Sequence, residues 1–107
     1  MPDVTRSVFG TPIRLTDERW AHIISGHPEL TGLRAMVLET LGQPAEVRAG
    51  SGGEFLAISR MVDGRSLVVV YRELTGDGFV VTALLTRRTA ALGRRRLVWQ
   101  SQPPPTS

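Results

Sequence analysis

Both histidines of the chain lie in one short segment, and histidine is the side chain that most readily exchanges a proton near neutral pH. His22 and His27 are separated by Gly26, a residue typical of a helix end, and Glu29 follows two positions after His27. Two imidazoles and a carboxylate beside a helix break could supply the base and the acid of one reaction. The alternative is structural: His22 would be a surface residue and His27 a capping or loop residue.

A metal site is a further possibility for the same three side chains, because imidazole nitrogens and carboxylate oxygens are common zinc ligands. The spacing of His22 and His27 and the helix break between them differ from the HExxH arrangement, in which both histidines share one helix face. We therefore expect neither a metal nor another cofactor.

The first helix positions this segment. Thr16 is a favourable N-cap and Gly26 a favourable end, so the sequence predicts a helix between them. At 100° per residue, Trp20 and Ile23 share an apolar arc and His22 lies nearly opposite it. We therefore expect His22 to face water or a cleft rather than the core.

A second helix is predicted to begin near residues 28–31 and to end at Gly42, before Pro44. Its apolar residues recur at helical spacing, which favours core packing over a functional role. They are Leu30, Leu33, Val37, Leu38 and Leu41.

From Glu46 onward the apolar pattern is that of strands. Four strands are predicted, at residues 45–49, 54–62, 66–74 and 78–87. The turn signal Asp63-Gly64 and the glycine-rich connections imply antiparallel neighbours. The predicted fold is therefore α+β, with two N-terminal helices packed on a four-stranded antiparallel meander sheet.

The length of 107 residues suits one domain. We assign residues 12–99 to this domain, with residues 12–15 as a candidate edge strand. Residues 1–11 are expected to form a loose leader, and the proline-rich residues 100–107 a disordered tail.

Three side chains interrupt the apolar pattern of the strands. Arg60 shares the strand face of Leu56, so it needs an anionic partner or the edge of a cleft. Tyr71 is expected on the same strand face as Leu67, and Thr82 interrupts an otherwise apolar run. Each is more often structural than functional when taken alone.

The charge distribution indicates a polyanion as a partner. All thirteen basic residues are arginines; eight of them lie in residues 54–107, against four carboxylates. Arginine binds phosphate oxygens in a bidentate manner, although an ordinary solvated surface would have the same composition. No signal peptide or membrane-spanning segment is expected, and the absence of cysteine suits the cytoplasm.

Residues 13–87 resemble the barnase–EndoU–colicin–RelE-like nucleases, in particular the phage- and toxin-associated branches. The matching motifs are W-x-H-I-x-x-x-H-P-E from Trp20 to Glu29, a second helix leading to Pro44, Leu67-Val68-Val69-Val70 and Val80-Val81-Thr82-Ala83. The resemblance implies a metal-independent endoribonuclease in which a ribose 2′-hydroxyl attacks the adjacent phosphate, leaving a 2′,3′-cyclic phosphate.

By this resemblance the catalytic residues are His22, His27 and Thr82, with Arg60 and Tyr71 as further candidates. Substrate contacts are expected from Trp20, Glu29, Arg72, Arg87 and Arg88. Because the chain has no lysine, any lysine that the family uses as a cation must be replaced by arginine here.

The expected partners are RNA, with tRNA among the candidate targets, and a cognate inhibitor of the antitoxin or immunity-protein type; no membrane partner is expected. The alternative function is a non-catalytic module that binds nucleic acid or a protein partner. Arg94-Arg95-Arg96 followed by Leu97-Val98-Trp99 favours this alternative. A metal-dependent hydrolase is the third possibility.

Overall fold

The computed structural model describes residues 2–102, and within them it contains three α-helices, one 3-10 turn and seven strands. The helices are α1 (Asp17–Gly26), α2 (Arg34–Gly42) and α3 (Thr89–Gly93), and the 3-10 turn is Pro28–Leu30. The strands are β1 (Asp3–Arg6), β2 (Pro12–Leu15), β3 (Glu46–Ala49), β4 (Phe55–Arg60), β5 (Ser66–Leu74), β6 (Asp77–Thr86) and β7 (Leu97–Gln100).

The seven strands form one mixed sheet in the order β1-β2-β6-β5-β4-β3-β7. Neighbours pair antiparallel except β2 and β6, which are parallel. The predicted four-stranded meander is therefore wrong as a description of the sheet: β3–β6 form its centre, but a β1–β2 hairpin extends one edge and β7 the other. Of the three additional strands, β2 was predicted at residues 12–15 as an edge strand, but it lies between β1 and β6. The other two, β1 and β7, have four residues each, too few to show a clear two-residue period.

The expected first helix is confirmed in its position and cap. Thr16 precedes α1, and its Oγ1 accepts a hydrogen bond of 3.0 Å from the Arg19 backbone N–H. Asp17 and Glu18 follow in the first turn, where the helix dipole favours negative charge.

The second helix is shorter than expected. Residues Pro28–Leu30 form a 3-10 turn, and Gly32 adopts a positive φ of 85° that interrupts the helix before α2 begins at Arg34. The predicted apolar stripe does pack in the core: Leu30, Val37 and Leu41 are fully buried.

The two faces of the sheet are covered unequally. On the helix face, α1, the 3-10 turn and α2 pack over the main core, which includes Ile13, Leu67, Val69 and Ala83. The opposite face has a smaller apolar cluster, Leu56, Ile58 and Val68, against which Leu92 of α3 packs. We call residues 87–96, which connect β6 to β7 across this second face, the strap, and the face beneath them the strap face.

Both chain ends differ from expectation where they are described. Residues 3–6, predicted to be part of a loose leader, form β1 and pack beside α2. At the other end, Gln100 belongs to β7, and the Ser101 N–H donates a 2.9 Å hydrogen bond to the Ala45 carbonyl. The rest of the predicted tail, residues 103–107, lies outside the described residues. In residues 2–102, each helix is too short to cross a bilayer.

Candidate functional site

His27 is placed by the end of α1. Its backbone N–H donates a 2.8 Å hydrogen bond to the Ile23 carbonyl, which closes the last turn of the helix. Pro28 then starts the 3-10 turn, and this tight reversal brings the Glu29 carboxylate back toward the imidazole. His27 Nδ1 lies 3.4 Å from Glu29 Oε1, and each side chain is about 40% exposed. The structure therefore brings together an accessible histidine and a carboxylate that can orient it.

The β4–β5 turn supplies an arginine within electrostatic range of Glu29. Arg65 forms an ion pair with Asp63 in which Nε and Nη2 both contact Asp63 Oδ2, at 2.8 Å and 2.7 Å. The pKa of Arg65 is raised, first by this hydrogen bond and then by the negative charges of Asp63 and Glu29. Glu29 is thus within electrostatic range of Arg65, although the two residues are far apart in the sequence.

A second arginine joins from the end of β6. Arg87 Nη1 donates a 2.9 Å hydrogen bond to the Asp63 carbonyl oxygen. The pKa of the Asp63 carboxyl is lowered by hydrogen bonds from the Arg65 side chain and backbone, and further by the charges of Arg65 and Arg87. We call the group His27, Glu29, Asp63, Arg65 and Arg87 the hairpin-end cluster.

The hairpin-end cluster combines one proton-transfer group with two cations. An imidazole can exchange a proton, and two guanidinium groups can neutralise a phosphate oxygen. Of the predicted site residues, His27 and Glu29 contact each other, and Arg87 contacts Asp63 of the same cluster. The structure adds Arg65, which sequence reasoning missed because Asp63-Gly64-Arg65 indicated only a turn.

His22 occupies an exposed position on α1, as its helical phase predicted. Three cavities, of about 300, 300 and 420 Å³, lie between α2 and the end of β4, beside the start of α1, and between β1 and α2. Neither His22 nor His27 lines any of these three cavities within the described chain. The two histidines therefore do not face a shared hollow among them.

Two predicted site residues lie on the strap face, away from α1. Thr82 pairs with Val70, which packs into the apolar cluster of that face, so Thr82 points to the same side. Arg60 also points there, and its Nη2 lies 3.2 Å from Glu46 Oε1. The expected anionic partner of Arg60 is therefore present, whereas the strands separate Thr82 and Arg60 from the side of the sheet where α1 packs.

The remaining predicted residues are dispersed. Tyr71 is fully buried in the helix-face core, with its ring centroid 5.6 Å from that of Phe55. Trp20 is half-buried against the same core. Arg72 donates to the Gly52 carbonyl at 3.0 Å and pairs with Glu54 at 3.4 Å. Arg88 is exposed and follows Arg87 in the strap.

Among residues 2–102, no three histidine, aspartate or glutamate side chains are grouped closely enough to hold a metal ion. His27 and Glu29 form a pair without a third ligand of these types.

No protein-family model matches the chain, and none of the curated proteins or solved structures compared with it matches either.

Proposed function

We propose that this protein is a metal-independent endoribonuclease whose reaction takes place at the hairpin-end cluster. The observation that carries the proposal is the contact of 3.4 Å between His27 and Glu29, with Arg65 within electrostatic range of Glu29. The motif resemblance supplies the substrate class, and the contact between His27 and Glu29 supports His27 as a proton-transfer group.

In the proposed reaction, the ribose 2′-oxygen bonds to the adjacent phosphorus as its proton passes to a base. The bond from phosphorus to the 5′-oxygen then breaks, and an acid gives that oxygen a proton. The products are a 2′,3′-cyclic phosphate and a 5′-hydroxyl end.

We assign one proton transfer to His27, which Glu29 orients, and the charge of the pentacoordinate phosphate to Arg65 and Arg87. By resemblance, His22 is the candidate for the other transfer. Tyr71 is left out because a fully buried ring cannot contact RNA. We further propose that the protein acts in the cytoplasm and is restrained by a cognate inhibitor.

Binding of nucleic acid without cleavage is the second candidate function. The observation that favours it is that the predicted catalytic residues lie on opposite faces of the sheet. Thr82 and Arg60 lie on the strap face, whereas α1, which carries His22, packs on the helix face. A protein that only binds would retain salt-dependent affinity and lose none of it when the histidines are changed.

The test is to incubate purified protein with RNA, with and without a chelator, and to identify the product ends. We expect cyclic-phosphate ends in both conditions. His27→Ala should reduce the cleavage rate at least about 100-fold, because it removes a proton-transfer group. Glu29→Gln should give a smaller loss, about tenfold, because it alters the orientation of the imidazole but leaves it in place.

The matched control is Glu39→Gln, which removes one exposed carboxylate of α2 outside the cluster. It should cleave like the wild type. The absence of cyclic-phosphate products, or equal cleavage by wild type and His27→Ala, would overturn the proposal. Cleavage that stops on addition of chelator would indicate a metal-dependent reaction instead.

A further inference from the structure

The strap is fixed to the sheet through its main chain. Leu92 packs on the apolar cluster of the strap face. Arg48 Nη1 donates hydrogen bonds to the carbonyl oxygens of Arg95 at 2.7 Å and Gly93 at 3.4 Å, and the Ala49 N–H donates to the Arg96 carbonyl at 2.9 Å. The side chains that project from the strap therefore start from a fixed backbone, which lowers the entropy lost on binding.

Within residues 2–102, the strap arginines differ from most other arginines in having no carboxylate partner. Six arginines pair with acids in the structure: Arg14, Arg34, Arg48, Arg60, Arg65 and Arg72. In contrast, Arg88, Arg94, Arg95 and Arg96 are exposed and form no ion pair with any residue of the described chain. Asp77 is the last acidic residue in the sequence, so the strap itself contains no negative charge.

The strap is also continuous with the hairpin-end cluster. Arg87 is the first residue of the strap and at the same time contacts the Asp63 carbonyl in the cluster. From there the strap crosses the strap face to β7, at the far edge of the sheet. A linear polyanion bound at the cluster can therefore pass around the end of the β4–β5 hairpin to the strap face and continue along the exposed guanidinium groups of the strap.

We propose that the strap is a docking surface for the phosphate backbone of single-stranded RNA on one side of the cleaved bond. The inference rests on the proposed function for the identity of its ligand and goes beyond it by assigning a second binding region. Arginine suits this role because its planar fork binds phosphate oxygens in a bidentate manner. Contacts of this kind give affinity and register without sequence preference.

The experiment measures the binding of a 2′-O-methyl RNA of about 20 nucleotides, longer than usual single-strand sites, by fluorescence anisotropy. This probe keeps the phosphates but has no 2′-hydroxyl to attack. The variant is Arg94→Gln/Arg95→Gln/Arg96→Gln, whose side-chain changes leave the carbonyl contacts of the strap in place. The control, Arg6→Gln/Arg14→Gln/Arg19→Gln, removes the same charge from β1, β2 and α1.

The logarithm of the affinity falls as the logarithm of the salt concentration rises. Loss of three phosphate contacts should make this slope less steep by about 2 for a single strand. Between about 50 and about 200 mM salt, wild-type affinity should therefore fall about 20-fold more than that of the strap variant. The control should keep a slope close to that of the wild type. Equal slopes for the two triple variants would show that only net charge matters, and would overturn the docking surface.

Cleavage assays separate this inference from the proposed function. The strap variant should lose more kcat/KM on the long unmodified RNA than on a dinucleotide, because only the long substrate reaches the strap. Strap-dependent binding without cleavage by the wild type would retain the docking surface and reject the nuclease. Cleavage with equal losses on both substrates would retain the nuclease and reject the docking surface.

Discussion

Tyr71 was a candidate catalytic residue in the sequence, but the fold buries its hydroxyl group where no substrate can reach it. Its side chain is fully buried, and its oxygen has no hydrogen-bond partner among the described residues. Burial, with a smaller contribution from the charge of Glu73, raises the pKa of Tyr71, so the hydroxyl stays neutral. A neutral, inaccessible phenol can neither accept a proton from RNA nor stack on a base.

We therefore predict that Tyr71→Phe leaves the free energy of unfolding unchanged or raises it by up to about 1 kcal/mol, because it removes a buried polar group without a partner. Urea denaturation followed by tryptophan fluorescence measures this. A loss of more than about 1 kcal/mol would mean that the hydroxyl has a stabilising partner.

At the scale of elements, the Asp63 carboxylate holds the β4–β5 turn by accepting hydrogen bonds from the Arg65 backbone N–H and side chain. In the folded protein, the pKa of the Asp63 carboxyl is lowered below its ordinary value of 3.8, first by the hydrogen bond from the Arg65 side chain. A depressed carboxyl pKa stabilises the fold above the unfolded pKa, and this stabilisation is lost as the pH falls through the folded pKa. The turn that holds Arg65 near Glu29 should therefore weaken in acid.

We predict that Asp63→Asn lowers the free energy of unfolding at neutral pH and that its difference from the wild type shrinks as the pH falls below about 4. Urea titrations at several pH values measure this difference. Arg65→Gln removes the first cause of the shift and should reduce the same acid dependence. A difference between wild type and Asp63→Asn that does not vary with pH would contradict the assignment.

At the scale of the whole molecule, the sheet has one junction at which the N-terminal hairpin joins the central strands. Ile13 of β2 pairs with Gly78 of β6 in the parallel connection. A Cβ at Gly78 would lie 2.5 Å from the Arg72 carbonyl oxygen and 2.5 Å from Ile13 Cδ1. Glycine is therefore required for β2 and β5 to approach β6 from both sides.

We predict that Gly78→Ala lowers the free energy of unfolding by about 1–3 kcal/mol, because backbone and core atoms must move. The control is Gly93→Ala, where a Cβ meets nothing within 4 Å; its effect should stay within about 0.5 kcal/mol. Thermal and urea unfolding measure both variants. Equal stabilities would show that the junction can relax without cost.

Several elements could be predicted because the forces that form them act between neighbours in the chain. Thr16, Gly26 and the intervening apolar arc determine α1, and Asp63-Gly64 determines the β4–β5 turn. The exposed position of His22 followed from its place on the helix opposite the apolar arc. The proximity of His27 and Glu29 followed from the helix break between α1 and the 3-10 turn.

Only the tertiary structure decided the rest, because it depends on contacts between residues distant in the chain. The parallel pairing of β2 with β6 and the addition of β7 to β3 leave no local pattern in strands of four residues, and neither does the path of the strap between β6 and β7. The same holds for the site. Local spacing determines that His27 lies near Glu29. The register of the sheet determines that Thr82 and Arg60 lie on the strap face and that Arg65 and Arg87 meet at Asp63.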